Sequence, residues 1–152
     1  MGAVCANQYP DGYYEYADSP SDCQWVENQI QSSLSKGKGL PFFEHDYQMN
    51  PAAVRTCADI AQTLMQRPRV AVKIICCVNE YPAWFSSFWA KRLSVQRAEA
   101  VKQVLRDAGV QNIIVPEGWG YNDNAGARIQ FIACSKKQLG LVDRTCCAGP
   151  CG

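Results

Sequence analysis

The stretch Arg92–Gly109, RLSVQRAEAVKQVLRDAG, carries the clearest local pattern in the chain. Ser94 is a favourable N-cap residue, and Leu93 before it can pack on the first turn that follows. Gly109 stands where many helices end in a left-handed cap. Between these ends, apolar residues recur at helical spacing at Ala98, Val101, Val104 and Leu105. The stretch therefore predicts a helix that begins at Ser94, buries one apolar stripe and ends at Gly109.

Two further helices are predicted before this one. Ser21 and Gln24 form a plausible capping box, and an apolar residue follows at every fourth position, which predicts a helix over residues 22–35. Asn50 and Pro51 provide an N-cap and a first helical residue for a second helix, which ends before Pro68.

Four short segments are typical of strands, at residues 40–43, 69–78, 111–115 and 127–134. The second of these is apolar on both alternating faces, which is typical of a central strand in a covered sheet. The elements follow the order strand, helix, strand, helix, strand, strand. This order predicts an α+β fold in two layers, with two helices packed on one mixed sheet.

The composition limits the classes of protein to which the chain can belong. Its 152 residues are 47% hydrophobic and 19% charged, which is typical of a globular protein rather than a disordered one. A formal net charge of +1, with scattered basic residues, gives no nucleic-acid-binding footprint. No apolar run is long enough to span a bilayer, and the N-terminus lacks the pattern of a signal peptide.

Nine cysteines are many for a chain of this length. Four lie in predicted helices or strands, where cysteine usually behaves as a small apolar residue: Cys57, Cys76, Cys77 and Cys134. The other five lie towards the Gly- and Pro-containing ends and are candidates for disulfides: Cys5, Cys23, Cys146, Cys147 and Cys151. The spacing of the last three is not that of a zinc site, and the only histidine, His45, is far from them in sequence.

Several motifs occur in the order found in OmpA-like domains, a family that binds peptidoglycan. They are Phe42-Phe43 through Met49-x-Pro51, Ile60-Ala-x-x-Leu64, Leu93-Ser94-x-x-Arg97-Ala98, Gly118-x-Gly120-Tyr121 and Arg128-x-x-Phe131. The resemblance covers residues 40–134 and implies the β-α-β-α-β-β sandwich of that family. Residues 1–39 are then an N-terminal arm with a short amphipathic helix, and residues 135–152 are a Cys-, Gly- and Pro-rich tail.

The resemblance also indicates where a ligand would bind. In the family, an aspartate after the second strand holds the ammonium of diaminopimelate, and the helix arginine holds its carboxylate. Here Asn79 stands nearest to the aspartate position, Glu80 follows it, Arg97 is the helix arginine, and Arg128 matches a second arginine. These four residues are the ligand-binding candidates if binding is retained. Because Asn79 is uncharged, half of the clamp is missing, and we interpret Arg97 as a structural residue.

The loop before the central helix is unusually aromatic, with Trp84, Phe85, Phe88 and Trp89. One loop on a small domain cannot bury this much aromatic surface, so we predict that these residues contact a partner chain or a membrane surface. The same four residues are therefore the candidates for partner contact.

We expect no catalytic residues, metal or cofactor. His45 and Cys77 lack the nucleophile elbow and oxyanion motif that a hydrolase would need. The leading hypothesis is a non-enzymatic subunit that contacts other proteins of a larger assembly, on the soluble side of an organellar or bacterial membrane. Its compartment would be an organelle lumen, an intermembrane space or a periplasm-like space. The alternative is a cell-envelope module that binds peptidoglycan through a rearranged site.

Overall fold

A computed structural model describes residues 20–37, 39–80, 86–122 and 129–134. The helices of these residues are α1 (Pro20–Gly37), α2 (Pro51–Gln66) and α3 (Ser87–Asp107). The strands are β1 (Ala71–Val78), β2 (Ile114–Tyr121) and β3 (Ile129–Cys134). They form one mixed sheet in the order β2-β1-β3.

The helix starts follow from local capping chemistry. The Asn50 side chain accepts a hydrogen bond from the Ala53 amide at 2.9 Å, as the Asn-Pro signal predicts. Helix α3 begins eight residues earlier than predicted, because Ser86 rather than Ser94 is its N-cap and accepts from the Trp89 amide at 3.0 Å. The predicted end is confirmed, since Gly109 has a φ of +101° just after the helix.

Strand β1 is the centre of the sheet. It pairs in parallel with β2, with Val72 opposite Ile114, and antiparallel with β3, with Val72 opposite Ala133. All eight residues of β1 are buried, which confirms the prediction of a central covered strand. Helix α3 provides the long crossover that a parallel β1–β2 pair requires.

The prediction of a sheet strand at residues 40–43 is wrong. Phe42 makes only an isolated antiparallel bridge to Met49. The chain reverses between them through His45, which has a φ of +59°, and the Phe43 amide bonds the Gln48 carbonyl at 2.9 Å. The segment therefore pairs with its own neighbour, and Pro41 removes one amide that a sheet strand would need.

The strand predicted at residues 111–115 is also displaced. Strand β2 begins at Ile114 and continues to Tyr121, so the Gly118-x-Gly120-Tyr121 motif belongs to the sheet. Gly120 has a φ of +77°, and the β1–β2 register shifts between Cys76 and Val78. Glycines thus mark an irregular strand here rather than a loop.

The described helices pack on one face of the sheet. Val72, Ile74 and Cys76 of β1 share a buried core with Ile129, Phe131 and Ala133 of β3, and with apolar residues of α1, α2 and α3. Helix α1 contributes Cys23, Val26, Ile30 and Leu34 to this core. On the opposite face, the buried Lys73 ammonium pairs with the Glu117 carboxylate at 3.1 Å.

Helix α3 lies unusually close to β2. A Cβ atom at Gly118 would meet the Val95 backbone nitrogen at 2.3 Å, which is shorter than any normal contact. The Ser94 hydroxyl accepts a hydrogen bond from the Gly120 amide at 2.9 Å and donates to the Lys91 carbonyl at 2.8 Å. This contact holds the N-terminal half of α3 against β2 and positions Arg97.

Candidate functional site

The candidate site is built around Arg97, which is only 3% exposed in the middle of α3. Its Nε donates a hydrogen bond to the Asp46 carbonyl at 2.7 Å, and one Nη donates to the Phe43 carbonyl at 3.4 Å. The guanidinium also lies over the Phe42 ring, with Cζ 4.9 Å from the ring centroid. The loop at residues 42–46 therefore wraps the arginine with backbone acceptors and one aromatic face.

The carboxylate of Glu80 completes this environment. The same Nη of Arg97 lies 2.7 Å from one carboxylate oxygen of Glu80 and 3.0 Å from the other. The backbone amide of His45 donates to the same carboxylate at 2.8 Å. The Arg97 side chain is 4% exposed and that of Glu80 is 19% exposed, so the pair is largely withdrawn from water. Glu80 thus provides the carboxylate that pairs with the Arg97 guanidinium.

The structure brings together two of the four predicted ligand-binding residues. Glu80 and Arg97 are in contact, whereas Asn79 is exposed and is not among the groups that bond Arg97. Arg128 lies outside the described residues. The sequence analysis did not identify the other groups around Arg97. They are backbone carbonyl oxygens of a loop and the Phe42 ring, and no sequence motif indicates that these groups contact an arginine.

The predicted partner-contact residues are only partly described. Phe88 is 77% exposed at the start of α3. Trp89 is half-buried, packs on the small cluster of Val78, Ala90 and Leu93, and meets the His45 ring edge-on at 5.8 Å between centroids. Trp84 and Phe85 lie outside the described residues. Trp89 therefore contributes to the fold, while Phe88 offers its ring to solvent.

The described cysteines give no support to a disulfide. Cys23 is 5% exposed inside α1, and Cys23, Cys57, Cys76 and Cys77 form no disulfide with one another. Burial raises the pKa of the Cys57 thiol to about 12. Burial also raises the pKa of Cys76 to about 12, against the opposing effect of the Arg97 charge. Cys5, Cys146, Cys147 and Cys151 lie outside the described residues, so their disulfides stay a prediction.

Two further features bear on the class of site. No cluster of His, Cys, Asp and Glu side chains suited to a metal ion occurs among residues 20–37, 39–80, 86–122 and 129–134. None of the described helices combines the length and the apolar character needed to cross a bilayer.

The fold is similar to those of several solved structures. A putative MotB-like protein from Desulfovibrio vulgaris is 13% identical, with a TM-score of 0.56 over 74% of this chain and 91% of that one. The periplasmic domain of Helicobacter pylori MotB is 20% identical, with a TM-score of 0.53 over 72% and 84%. The OmpA-like domain of FopA1 from Francisella tularensis subsp. tularensis SCHU S4 is 19% identical, with a TM-score of 0.48 over 63% and 70%.

No protein-family model matches the chain, and no curated protein matches its sequence. The helix and strand order, the β2-β1-β3 sheet and the similarity to the two MotB-type structures show that the chain has the OmpA-like domain fold that its sequence motifs predict.

Proposed function

We propose that this chain is a non-catalytic interaction module, in which an OmpA-like domain contacts other proteins and its helix arginine has become structural. The observation that carries the proposal is the Arg97–Glu80 pair, at 2.7 Å and largely buried. A carboxylate ligand that bound the Nη atom held by Glu80 would have to displace Glu80, which is also bonded by the His45 amide. Such a ligand would have to replace charge-assisted hydrogen bonds that the chain already makes.

The docking region is the aromatic segment before and at the start of α3. Phe88 is the most exposed large apolar side chain of the described residues, at 77%. An exposed aromatic ring at the start of a well-anchored helix is an effective contact for a protein partner, because it buries much area at little entropic cost. Trp84 and Phe85, close by in sequence, extend the proposed contact.

The proposed setting is the soluble side of a membrane-associated assembly, in an organelle or in a periplasm-like compartment. It is supported by the likeness to the periplasmic domain of MotB, a protein whose name implies an envelope location. The chain would be held there by its protein contacts.

Native gel electrophoresis of the Phe88→Ala variant tests the docking proposal. We expect the wild-type chain, expressed in its source cells, to migrate with a large assembly on native gels, and the variant to migrate mainly as the free chain. Gln31→Ala, on the exposed side of α1, is the control for an equally exposed substitution. If Phe88→Ala and Gln31→Ala both stay in the assembly, Phe88 does not contact the partner.

Co-sedimentation with diaminopimelate-type peptidoglycan tests the alternative function. Because Glu80 occupies Arg97, we expect the wild-type chain to show no binding that free diaminopimelate displaces. Binding that diaminopimelate does displace, and that Arg97→Ala removes, would establish a peptidoglycan module and contradict the proposed function.

A further inference from the structure

An open groove runs between α2 and α3 on the outer surface of the helix layer. Its volume is about 920 Å³, and residues 46–49 of the loop before α2 are part of its lining. The lining residues are Asp46, Tyr47, Gln48, Met49, Val54, Val95, Gln96, Glu99, Ala100, Gln103 and Val104. Neither Arg97 nor Glu80 is among the residues that line the groove.

Exposed apolar side chains concentrate along this groove. The described residues include six exposed large apolar side chains, and three of them line the groove: Tyr47 at 49%, Val54 at 44% and Val95 at 37%. A fourth, Met65, is 37% exposed and lies near Gly109, at the far ends of the same two helices. Several exposed apolar side chains on one surface indicate that a partner covers that surface.

The charged side chains that line the groove in the described part of the chain are both acidic. Asp46 and Glu99 are its only charged lining residues among those that the structure describes, and no lysine or arginine lines it. Gln48, Gln96 and Gln103 add amide groups that can donate or accept hydrogen bonds. The walls therefore favour a cationic occupant with an apolar face.

The shape of the groove selects the kind of occupant. One wall is α3, and the other is Val54 of α2 with residues 46–49 of the loop before it. The helix backbone is bonded within each helix, and in the loop the Asp46 carbonyl bonds Arg97 and the Gln48 carbonyl bonds the Phe43 amide, so these groups are not available to an added strand. A third helix can lie between two others with its side chains in the groove at ordinary helix-packing distances. A second copy of this chain is disfavoured, because the same carboxylates would then face each other.

We propose that the α2–α3 groove binds an amphipathic helix of a partner protein, with the apolar stripe of that helix inward and Lys or Arg residues flanking it. This inference rests on the proposed function and names the surface and the chemistry of the partner. Tyr47, Val54 and Val95 would contact the apolar stripe, and Asp46 and Glu99 would pair with the flanking cations.

Two matched peptides test the proposal with the full chain. One is a capped 14-residue amphipathic helix with a leucine stripe and lysines on its other faces, and the other has glutamate in place of every lysine. We expect fluorescence anisotropy to show tighter binding of the lysine peptide, with a difference that shrinks as salt is added. Equal binding of both peptides, or no saturable binding of either, would overturn the proposal.

Charge reversal on α3 locates the binding site. Glu99→Lys should weaken binding of the lysine peptide about three- to tenfold and strengthen binding of the glutamate peptide, because one carboxylate of the groove is replaced by a cation. Asp59→Lys is the matched control, since it makes the same change of net charge on an exposed position of α2 that does not line the groove. Equal effects of the two variants would mean that net charge, not the groove, attracts the peptide.

Other occupants give distinct results. A dimer in sedimentation velocity that Val54→Ser dissociates would assign the groove to a second copy and overturn the proposal. If the chain migrates in an assembly but Glu99→Lys alters neither peptide binding nor migration, the groove inference fails while the proposed function stands. If the lysine peptide binds as expected but the chain joins no assembly, the proposed function fails and the groove remains a helix-binding site.

Discussion

At the scale of single residues, the buried Arg97 guanidinium is held by contacts within the chain. Its Nε bonds the Asp46 carbonyl at 2.7 Å, and one Nη is taken up by the Glu80 carboxylate at 2.7 Å. Arginine suits this position because its planar guanidinium donates in several directions and stacks on Phe42 at the same time. A buried pair of this kind is costly to break from one side, because the remaining charge is left without its partner.

Truncation of Glu80 measures this cost. We expect Glu80→Ala to lower the free energy of unfolding by about 2–4 kcal/mol, since it strands the buried Arg97 charge and the His45 amide. Glu80→Gln should cost less, because its amide oxygen can still accept one hydrogen bond. Urea denaturation measures both values. Asn79→Ala is the control at the neighbouring exposed position, and an equal loss there would contradict the role of the ion pair.

The buried thiols of Cys57 and Cys76 predict a loss of stability at high pH. The pKa of each is raised by burial to about 12, from 9.0 in an unfolded chain. Above pH 9 the unfolded state loses these protons first, so the folded state loses about 1 kcal/mol per thiol for each pH unit between pH 9 and 12. Below pH 9 both thiols are protonated in both states, and stability does not depend on them.

Urea midpoints at pH 8, 9 and 10 check this prediction. The Cys57→Ala variant should be less stable at every pH, because of the lost side-chain volume, but its decline above pH 9 should be shallower than that of the wild-type chain. A decline of the same slope in both chains would mean that Cys57 does not titrate as its burial requires.

At the scale of elements, the contact between α3 and β2 depends on Gly118. The backbone of Val95 and the hydroxyl of Ser94 approach the Gly118 Cα so closely that no side chain fits. This is why a Gly-x-Gly sequence occurs within a strand, where glycine is otherwise unfavourable. Gly118 lets the helix approach, Gly120 takes a positive φ of +77°, and the Gly120 amide donates to the Ser94 hydroxyl at 2.9 Å.

Gly118→Ala should therefore destabilise the fold by about 1–3 kcal/mol, through a forced shift of α3. Thermal unfolding followed by circular dichroism measures the loss. The double variant Gly118→Ala with Ser94→Ala is the sharper experiment, because it removes the hydroxyl but leaves the Val95 backbone nitrogen in place. Full recovery of stability in the double variant would show that the hydroxyl alone limits the space.

At the scale of the whole molecule, the described helices share one core on one face of the sheet. Helix α1 is part of this core, because Ile30 is 1% exposed and packs in the same cluster as Ile60 of α2 and Phe131 of β3. The groove is formed by α3 together with Val54 of α2 and residues 46–49 of the loop before α2. Core and groove thus come from the same two-layer arrangement.

Substitution in α1 tests whether the chain unfolds as one unit. We expect Ile30→Ala to lower the free energy of unfolding by about 2–4 kcal/mol, as Ile60→Ala should, because both side chains are buried in one core. Circular dichroism and tryptophan fluorescence should report coincident urea transitions. An unchanged main transition in Ile30→Ala would show that α1 is a separable arm.

The sequence by itself determined the features that depend on near neighbours in the chain. The Asn50–Pro51 helix start, the Gly109 helix end and the two-faced apolar strand β1 follow from capping chemistry and residue periodicity, which act over a few residues. The five motifs between Phe42 and Phe131, taken in their order and spacing, predicted the OmpA-like fold.

Only the tertiary structure decided the features that depend on distant residues. Ser86 capped α3, and the buried Ser94 was left to bond Gly120, because the β2 contact decides which serine faces solvent. Phe42 forms a bridge to Met49 and is not part of the β2-β1-β3 sheet, because backbone groups of this segment bond to nearby residues of the same loop. Glu80 met Arg97, 17 residues away, because the end of β1 and the middle of α3 converge. Contacts between residues that are far apart in the chain produce no periodic pattern in the sequence.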